Sequence, residues 1–144
     1  MATRVQITID CGDPRAQAEF WATALHYVPE PPPDGYGSWE ALLADLDVPE
    51  SEWNNGGSVV DPDGAGPRVY FQKVPEQKAV KNRLHLDLDV AGGRSVPIET
   101  RQQRVDAEVE RLTGAGATVG YRDQTDKHYH VTMHDPEGNE FCLH

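Results

Sequence analysis

The stretch HVTMHDPEGNEFCLH, residues 130–144, alternates polar and apolar side chains on both sides of a turn. Strict alternation over such short segments predicts two half-buried strands joined as a hairpin. The polar positions fall on one face of the predicted hairpin: His130, Thr132, His134, Glu140, Cys142 and His144. This face either meets solvent or lines a polar cavity that binds a metal ion or a small molecule.

The composition excludes several classes of protein. The chain has 144 residues, a hydrophobic share of 38% and a net charge of −11. This is enough for one folded domain, and because acidic surfaces repel phosphates, we expect no nucleic-acid or anionic-membrane partner. No apolar run approaches the ~20 residues of a membrane span, and the first residues do not resemble an export signal. Two cysteines, Cys11 and Cys142, do not make a disulfide framework, so we expect a cytoplasmic protein.

The first half of the chain predicts a strand, a helix and further strands. Residues 4–11 alternate strictly, and Asp13 followed by proline is typical of the start of a helix. A second, shorter helix is predicted over residues 38–46. Two strands are then predicted on either side of the turn DPDG at residues 61–64.

The second half repeats this order. In RLHLDLDV, residues 83–90, leucines alternate with polar residues, and a helix is predicted in RQQRVDAEVERLTG, followed by three strands. Both halves carry a DP-x-G turn near their ends. The sequence therefore predicts an internal duplication and an α+β fold, with module one at residues 1–75 and module two at residues 80–144. Helices cover one face of each sheet, and the polar face stays open.

Four stretches carry a resemblance to a known family: VQITIDCGDP with AEFW, VYFQKVPEQKAVKNRLHLDLDV, VDAEVERLTGAGATV and DPEGNEFCLH. They resemble the glyoxalase/bleomycin-resistance group of the vicinal oxygen chelate superfamily, and within it actinobacterial glyoxalase-like proteins. The resemblance implies a single domain over residues 1–144, in which two βαβββ modules curl around a shared cleft. It also makes a homodimer possible. The segment WEALLADLDVPESEW lies outside the family pattern.

The resemblance also implies where a metal ion would bind. In metal-dependent members, the first strand of each module supplies a His or Gln and the last strand a Glu. By position, the four ligands fall on Gln6, Gln72, His85 and Cys142. Both expected carboxylates are missing, although Mn²⁺ prefers anionic oxygens; a Cys142 thiolate would instead suit Zn²⁺, Ni²⁺ or Co²⁺. The chain either uses one of these divalent ions (Zn, Ni, Co or Mn) as cofactor or has lost the metal.

Three residues are candidates for catalysis: Glu140, His85 and Asp87. Either carboxylate would serve as a general base if the cleft raised its pKa, and the alternative is an ordinary surface carboxylate. His85 either binds a metal or moves a proton, or it is a histidine hydrogen-bonded within the sheet.

The candidate ligand-binding residues are polar or aromatic: Gln6, Thr8, Trp39, Trp53, His130 and Cys142. Each of these types has a structural alternative. The two tryptophans either wall a pocket or anchor loops and core, because large aromatic residues are mostly buried for packing. The cysteine is either a ligand or an inert buried thiol.

Three functions compete. The first is a protein that binds a small organic molecule in the cleft between the modules without the standard metal centre. The second is a divalent-metal-dependent lyase, isomerase or dioxygenase of the vicinal-oxygen-chelate type, in which an oxyanion is stabilised while a carboxylate moves a proton. The third is an interaction module whose cleft is vestigial. Metal content and quenching of tryptophan fluorescence by aromatic ligands distinguish them.

Overall fold

The computed structural model describes residues 1–144 and divides into two compact units, Met1–Gln77 and Lys78–His144. Each unit contains one four-stranded sheet with a long helix packed on one of its faces. The predicted α+β class is therefore confirmed. None of the three α-helices combines the length and the apolar character that a membrane span requires.

The first unit contains four strands and two α-helices, and one of the strands is only two residues long. These are β1 (Ile7–Cys11), α1 (Pro14–Leu25), β2 (Val28–Pro29), α2 (Trp39–Asp45), β3 (Gly56–Val60) and β4 (Val69–Lys73), with one 3-10 turn at Glu50–Glu52. The strand order is β1-β4-β3-β2. Strands β1 and β4 run parallel, whereas the other neighbours are antiparallel.

The second unit repeats this topology. Its elements are β5 (Asp87–Leu88), α3 (Ile98–Gly114), β6 (Thr118–Gln124), β7 (Tyr129–His134) and β8 (Glu140–Leu143). The strand order is β5-β8-β7-β6, and the parallel pair is again formed by the first and last strands. Apart from α2 and the 3-10 turn, which lie between β2 and β3, the strand–helix–three-strand order thus occurs twice, as the duplicated sequence pattern predicted.

Sequence alternation explains which face of each sheet the helix covers. In β4, Val69 and Phe71 are buried and face α1, whose Phe20 and Trp21 are also buried. The same arrangement recurs in the second unit, where the buried side chains are Val105, Val109 and Leu112 of α3, Val131 and Met133 of β7, and Phe141 and Leu143 of β8. The polar side chains of these strands are left on the opposite, open face.

Local signals place the starts of the two predicted helices of the first unit correctly. The Asp13 carboxylate accepts a hydrogen bond from Ala16 N at 3.2 Å and caps α1, with Pro14 as the first helical residue. Ser38 caps α2 in the same way, through the backbone N–H of Ala41. The turn before β8 contains Gly138 at φ +89°, which glycine adopts without strain.

Three boundaries differ from the sequence prediction. The first strand begins at Ile7, and Val5 is 70% exposed instead of buried. Of residues 83–90, only Asp87–Leu88 form a strand, because their neighbour β8 starts directly after a turn and offers residues 83–85 no ladder. Helix α3 begins at Ile98, upstream of the predicted start, because Pro97 takes the N-cap position.

Candidate functional site

Three donor groups converge on the open face of the second sheet. The side chains of Asp87 and Cys142 share this face because the two residues are register partners of the parallel pair β5 and β8. His85 precedes Asp87 by two residues, and its Nε2 lies 3.2 Å from Asp87 Oδ1. The ligand atoms of all three residues lie within 4.8 Å of one another. We call His85, Asp87 and Cys142 the strand cluster.

Within the strand cluster, His85 and Asp87 are exposed to solvent, whereas Cys142 is half-buried. The side chains of His85 and Asp87 are 42% and 56% exposed. The Cys142 Sγ is half-buried and lies 3.4 Å from Thr132 Oγ1 on β7. The structure therefore brings together an imidazole, a carboxylate and a thiol, which are the donor types that borderline metals such as Zn²⁺ accept.

Glu140 has a different environment from the other two candidate catalytic residues. Its Oε2 accepts a hydrogen bond from the backbone N–H of Asn82 at 2.9 Å, and its Oε1 lies 3.3 Å from Lys78 Nζ. Burial raises the pKa of this carboxyl, but the hydrogen bonds and the Lys78 charge outweigh burial and lower the pKa to about 2. A carboxylate with so low a pKa is a weak base, and here it holds the segment 78–82 against β8.

On the first sheet, Arg68 occupies the region where Gln6 was expected to bind a metal. Its Nη1 donates to Gln6 Oε1 at 3.0 Å, and its Nε donates to the two carboxylate oxygens of Glu30 at 3.0 and 2.9 Å. The hydrogen bonds from Arg68 lower the pKa of Glu30, against the effect of burial. The guanidinium also lies 5.4 Å from the ring centroid of Tyr70.

The strand register identifies Tyr70 as the first-unit counterpart of Cys142. In the second unit, Cys142 lies opposite Asp87, two residues after the first-strand position His85. Two residues after Gln6 is Thr8, and its register partner is Tyr70. Gln72 lies opposite Asp10. Asp10 follows Gln6 by four residues, which corresponds to about 13 Å along the strand. The prediction that Gln6 and Gln72 ligate one ion therefore conflicts with the register.

The four residues assigned to the family-type metal centre do not fit that centre. Gln6 presents its oxygen to a guanidinium, and a divalent ion at this oxygen would be repelled by the Arg68 charge. The counterpart of Cys142 is the neutral phenol of Tyr70. The groups that suit a metal lie in the second unit, and the strand cluster is one of them.

A shallow depression of about 530 Å³ lies on the first unit beside Tyr70. Its lining combines polar side chains and one aromatic ring: Asn55, Tyr70, Gln72, Lys73, Val74 and Pro75. Thr8, opposite Tyr70 in the register, is exposed. A second depression of about 630 Å³ lies between the first turns of α3 and the end of β6, and it contains none of the predicted site residues. The depression beside Tyr70 is therefore the better candidate for a ligand-binding site.

The two candidate tryptophans anchor loops through their indole N–H groups. Trp39 Nε1 donates to the carbonyl oxygen of Glu30 at 2.7 Å, and Trp53 Nε1 donates to that of Val48 at 3.0 Å. These bonds match the structural alternative, since both polar groups are used internally. Their role in ligand binding stays a prediction.

His130 lies on the open face of the second sheet beside His128 and Asp123, and of these two neighbours sequence reasoning missed Asp123. His128 Nε2 is 2.6 Å from His130 Nδ1, and Asp123 Oδ2 is 3.8 Å from the same nitrogen. The proximity of Asp123 depends on the β6–β7 register, which no single segment reveals. His128 is exposed, and its contact with His130 follows from their spacing of two residues along one strand face.

The duplicated βαβββ topology and the open polar faces define a two-module fold of the vicinal-oxygen-chelate type. The family model described as Glyoxalase-like domain matches residues 6–144. The chain therefore belongs to the glyoxalase-like domain family. No curated protein matches the sequence significantly.

Solved structures with the same fold extend over nearly the whole chain. One is a variant of the fosfomycin resistance protein FosX from Listeria monocytogenes, complexed with Mn(II) and 1S,2S-dihydroxypropylphosphonic acid, with 12% identity, a TM-score of 0.62 and coverage of 100% of this chain and 90% of that one. Another is a glyoxalase/bleomycin resistance protein/dioxygenase family enzyme from Burkholderia phytofirmans, with 16% identity, a TM-score of 0.58 and coverage of 96% and 94%. A hypothetical protein from S. aureus has 15% identity, a TM-score of 0.58 and coverage of 99% and 96%. At these identities, the similarity supports the fold alone.

Proposed function

We propose that this glyoxalase-like protein binds a small organic molecule directly, without the four-ligand metal centre of its metal-dependent relatives. The observation that carries the proposal is Arg68, which donates to Gln6 and lies beside Tyr70 where the first module would supply metal ligands. A fixed cation repels a metal ion, and a cation beside an aromatic ring suits an organic ligand that carries an acceptor group.

The depression beside Tyr70 is the proposed contact area on the first unit. Its size lies within the range of small-molecule sites, and its polar lining offers Lys73 and two amide side chains for hydrogen bonds. Neighbours of the same fold are named for resistance to fosfomycin and to bleomycin. These two compounds are therefore the first probes, followed by planar aromatic natural products.

The experiment is isothermal titration of the full chain with each probe in the presence of EDTA. We expect at least one probe to bind under these conditions. The Tyr70→Ala variant should weaken that binding by about tenfold or more, because a ligand-contacting aromatic ring is lost. Gln102→Ala, in the other depression, is the control and should leave the affinity unchanged.

Two outcomes would overturn the proposal. One is binding that appears only when a divalent ion is added and is abolished by EDTA. The other is binding without metal that Tyr70→Ala leaves unchanged, because the ligand would then sit away from the proposed contact area.

A second candidate function is a metal-dependent lyase, isomerase or dioxygenase, and the strand cluster is the observation that favours it. His85, Asp87 and Cys142 would hold the ion, and their imidazole, carboxylate and thiolate suit Zn²⁺, Ni²⁺ or Co²⁺ better than Mn²⁺. A bound ion would supply Lewis-acid stabilisation of a substrate oxyanion. His85 Nε2 and Asp87 Oδ1 would then both be ligands of the ion, and Glu140 is held by Lys78 and Asn82, so a proton would have to be moved by a bound water or by the substrate.

Metal content after loading and desalting tests this second function. A Zn²⁺ content that is lower by about one ion per chain in both His85→Ala and Cys142→Ser than in wild type would support it. The homodimer, the cytoplasmic location and the kinship with actinobacterial proteins stay predictions.

A further inference from the structure

The hairpin formed by β6 and β7 gathers two histidines and one aspartate on a single face. Asp123 and His130 are register partners across the hairpin, so their side chains lie side by side. His128 precedes His130 by two residues and points to the same face. The backbone N–H of Thr125 donates to the carbonyl of His128 at 2.8 Å and closes the turn. We call Asp123, His128 and His130 the hairpin cluster.

The three ligand atoms of the hairpin cluster converge on one point. His128 Nε2 and His130 Nδ1 are 2.6 Å apart, Asp123 Oδ2 is 3.8 Å from His130 Nδ1, and all three lie within 4.8 Å of one another. Two imidazole nitrogens at this distance share a proton, with one ring donating and the other accepting. A metal ion can take the place of that proton.

We propose that the hairpin cluster is a binding site for one divalent transition-metal ion of the Zn²⁺ class. Bonds of about 2.0–2.1 Å in a tetrahedral site place the donor atoms about 3.3 Å apart. The two nitrogens must therefore separate by about 0.7 Å, and the carboxylate oxygen must approach by about 0.5 Å. His128 is exposed, so small side-chain rotations suffice without moving the strands.

The donor set selects the class of ion. Two imidazoles and one carboxylate suit Zn²⁺, Ni²⁺, Co²⁺ or Cu²⁺, whereas Mg²⁺ and Ca²⁺ prefer oxygen ligands. Three protein ligands leave a coordination position open, as in zinc sites that bind an exogenous group. The Tyr121 ring lies edge-on to His130, with centroids 6.5 Å apart.

The hairpin cluster is separate from the strand cluster, although both lie on the open face of the second sheet. Thr132 follows His130 by two residues on β7 and contacts Cys142 on β8. One strand spacing and two residues of rise place His130 and Cys142, the nearest members of the two clusters, about 8 Å apart. The thiol belongs only to the strand cluster, and this difference makes the two sites distinguishable by spectroscopy.

Titration with Co²⁺ of the full chain under reductant is the test, read by absorption spectra. A thiolate ligand adds a near-ultraviolet charge-transfer band, whereas a site of imidazoles and carboxylate gives only visible d–d bands. In the Cys142→Ser background, we expect one Co²⁺ per chain with visible bands, and Zn²⁺ should displace it. His130→Gln added to this background should weaken binding by about tenfold or more, as should Asp123→Asn, because each removes a ligand.

His134→Gln is the matched control, because it removes another histidine of β7 and leaves the hairpin cluster intact. It should bind Co²⁺ like the Cys142→Ser background. The proposal is overturned if the background binds no Co²⁺, or if His130→Gln binds it with unchanged affinity. Circular dichroism of each variant shows whether the sheet is retained, and His128→Gln, on the exposed turn, provides a second ligand deletion that spares the strands.

Discussion

The two sheets share one topology but carry opposite charges at the same structural position. Arg68 lies two residues before Tyr70 in the first unit, and Glu140 lies two residues before Cys142 in the second. Each is paired with a counterion, Arg68 with Glu30 and Glu140 with Lys78. The duplicated fold thus keeps an ion pair beside the last strand and reverses which partner belongs to the strand.

The difference shows that fold and site chemistry are set by different residues of the same strands. Buried alternating positions, such as Phe71 and Phe141, fix the sheet and the helix that packs on it. The intervening positions face outward and are free to vary without changing the topology. One sheet face therefore holds a cation beside an aromatic ring, while the other holds the strand cluster and the hairpin cluster.

The largest effect is expected where the two units are most alike. Phe71 in β4 and Phe141 in β8 are both 0% exposed, so each change to alanine should lower the free energy of unfolding by about 3–5 kcal/mol. Urea unfolding followed by circular dichroism measures both. A loss below about 1 kcal/mol for one variant only would show that the equivalence of the two cores is superficial.

Replacing Arg68 removes the ion pair of the first unit and leaves that of the second unit intact. Arg68→Met leaves the Glu30 carboxylate without its guanidinium, and we expect a loss of about 2 kcal/mol at pH 7, typical of hydrogen bonds to charged groups. Because Arg68 lowers the pKa of Glu30 below 4.5, this contribution is present above that pH and is lost as the pH falls below it. The difference between wild type and variant should shrink accordingly in acid.

Arg68→Lys is the control for this prediction, since it keeps the charge and removes the planar fork. An intermediate stability would support the bidentate contact as the source of the effect. Equal stability of Arg68→Met and wild type at pH 7 would contradict it. Arg68→Met also tests the proposed function. It frees the Gln6 oxygen and removes the guanidinium charge that would repel a metal ion in the first unit.

Much of the fold could be predicted from local sequence signals. Asp13 with Pro14, and the DP-x-G turn with Gly138, act within a few residues and were placed correctly. The extent of β5 was not predicted correctly. The leucine alternation of residues 83–90 carries no information about where the neighbouring strand begins. Strand length depends on a partner that lies about 55 residues away in the chain.

The candidate site was less predictable, since its geometry depends on registers and long-range pairs. His85 and Cys142 were assigned to one region and do lie together with Asp87. The Arg68–Gln6 contact spans 62 residues and the Lys78–Glu140 contact spans another 62, and neither has a local signature. The hairpin cluster required the β6–β7 register, although the closeness of His128 to His130 was available from their spacing.

The two long helices also differ, and a substitution in α1 sharpens that contrast. Gln17 is 0% exposed and neither amide atom has a hydrogen-bond partner, whereas the buried side chains of α3 are all apolar. Gln17→Leu should raise the free energy of unfolding by about 1–2 kcal/mol, because the cost of burying an unpaired amide is removed. A higher urea midpoint at unchanged slope is the expected result, and a lower midpoint would mean that the amide has a partner.

The smallest effect is expected at the charge-reversed position of the second unit. Glu140→Gln keeps an acceptor for the Asn82 N–H but loses the Lys78 pair, which should cost about 1 kcal/mol at pH 7. The folded-state pKa of about 2 lies below the ordinary 4.5, so the advantage of wild type is full above pH 4.5 and disappears between pH 4.5 and about 2. Urea midpoints across this range measure it, with Glu110→Gln on the exposed side of α3 as control. If the difference in urea midpoint between wild type and Glu140→Gln does not change with pH, the carboxylate is not held by Lys78 and Asn82. Glu140 would then again be a candidate general base.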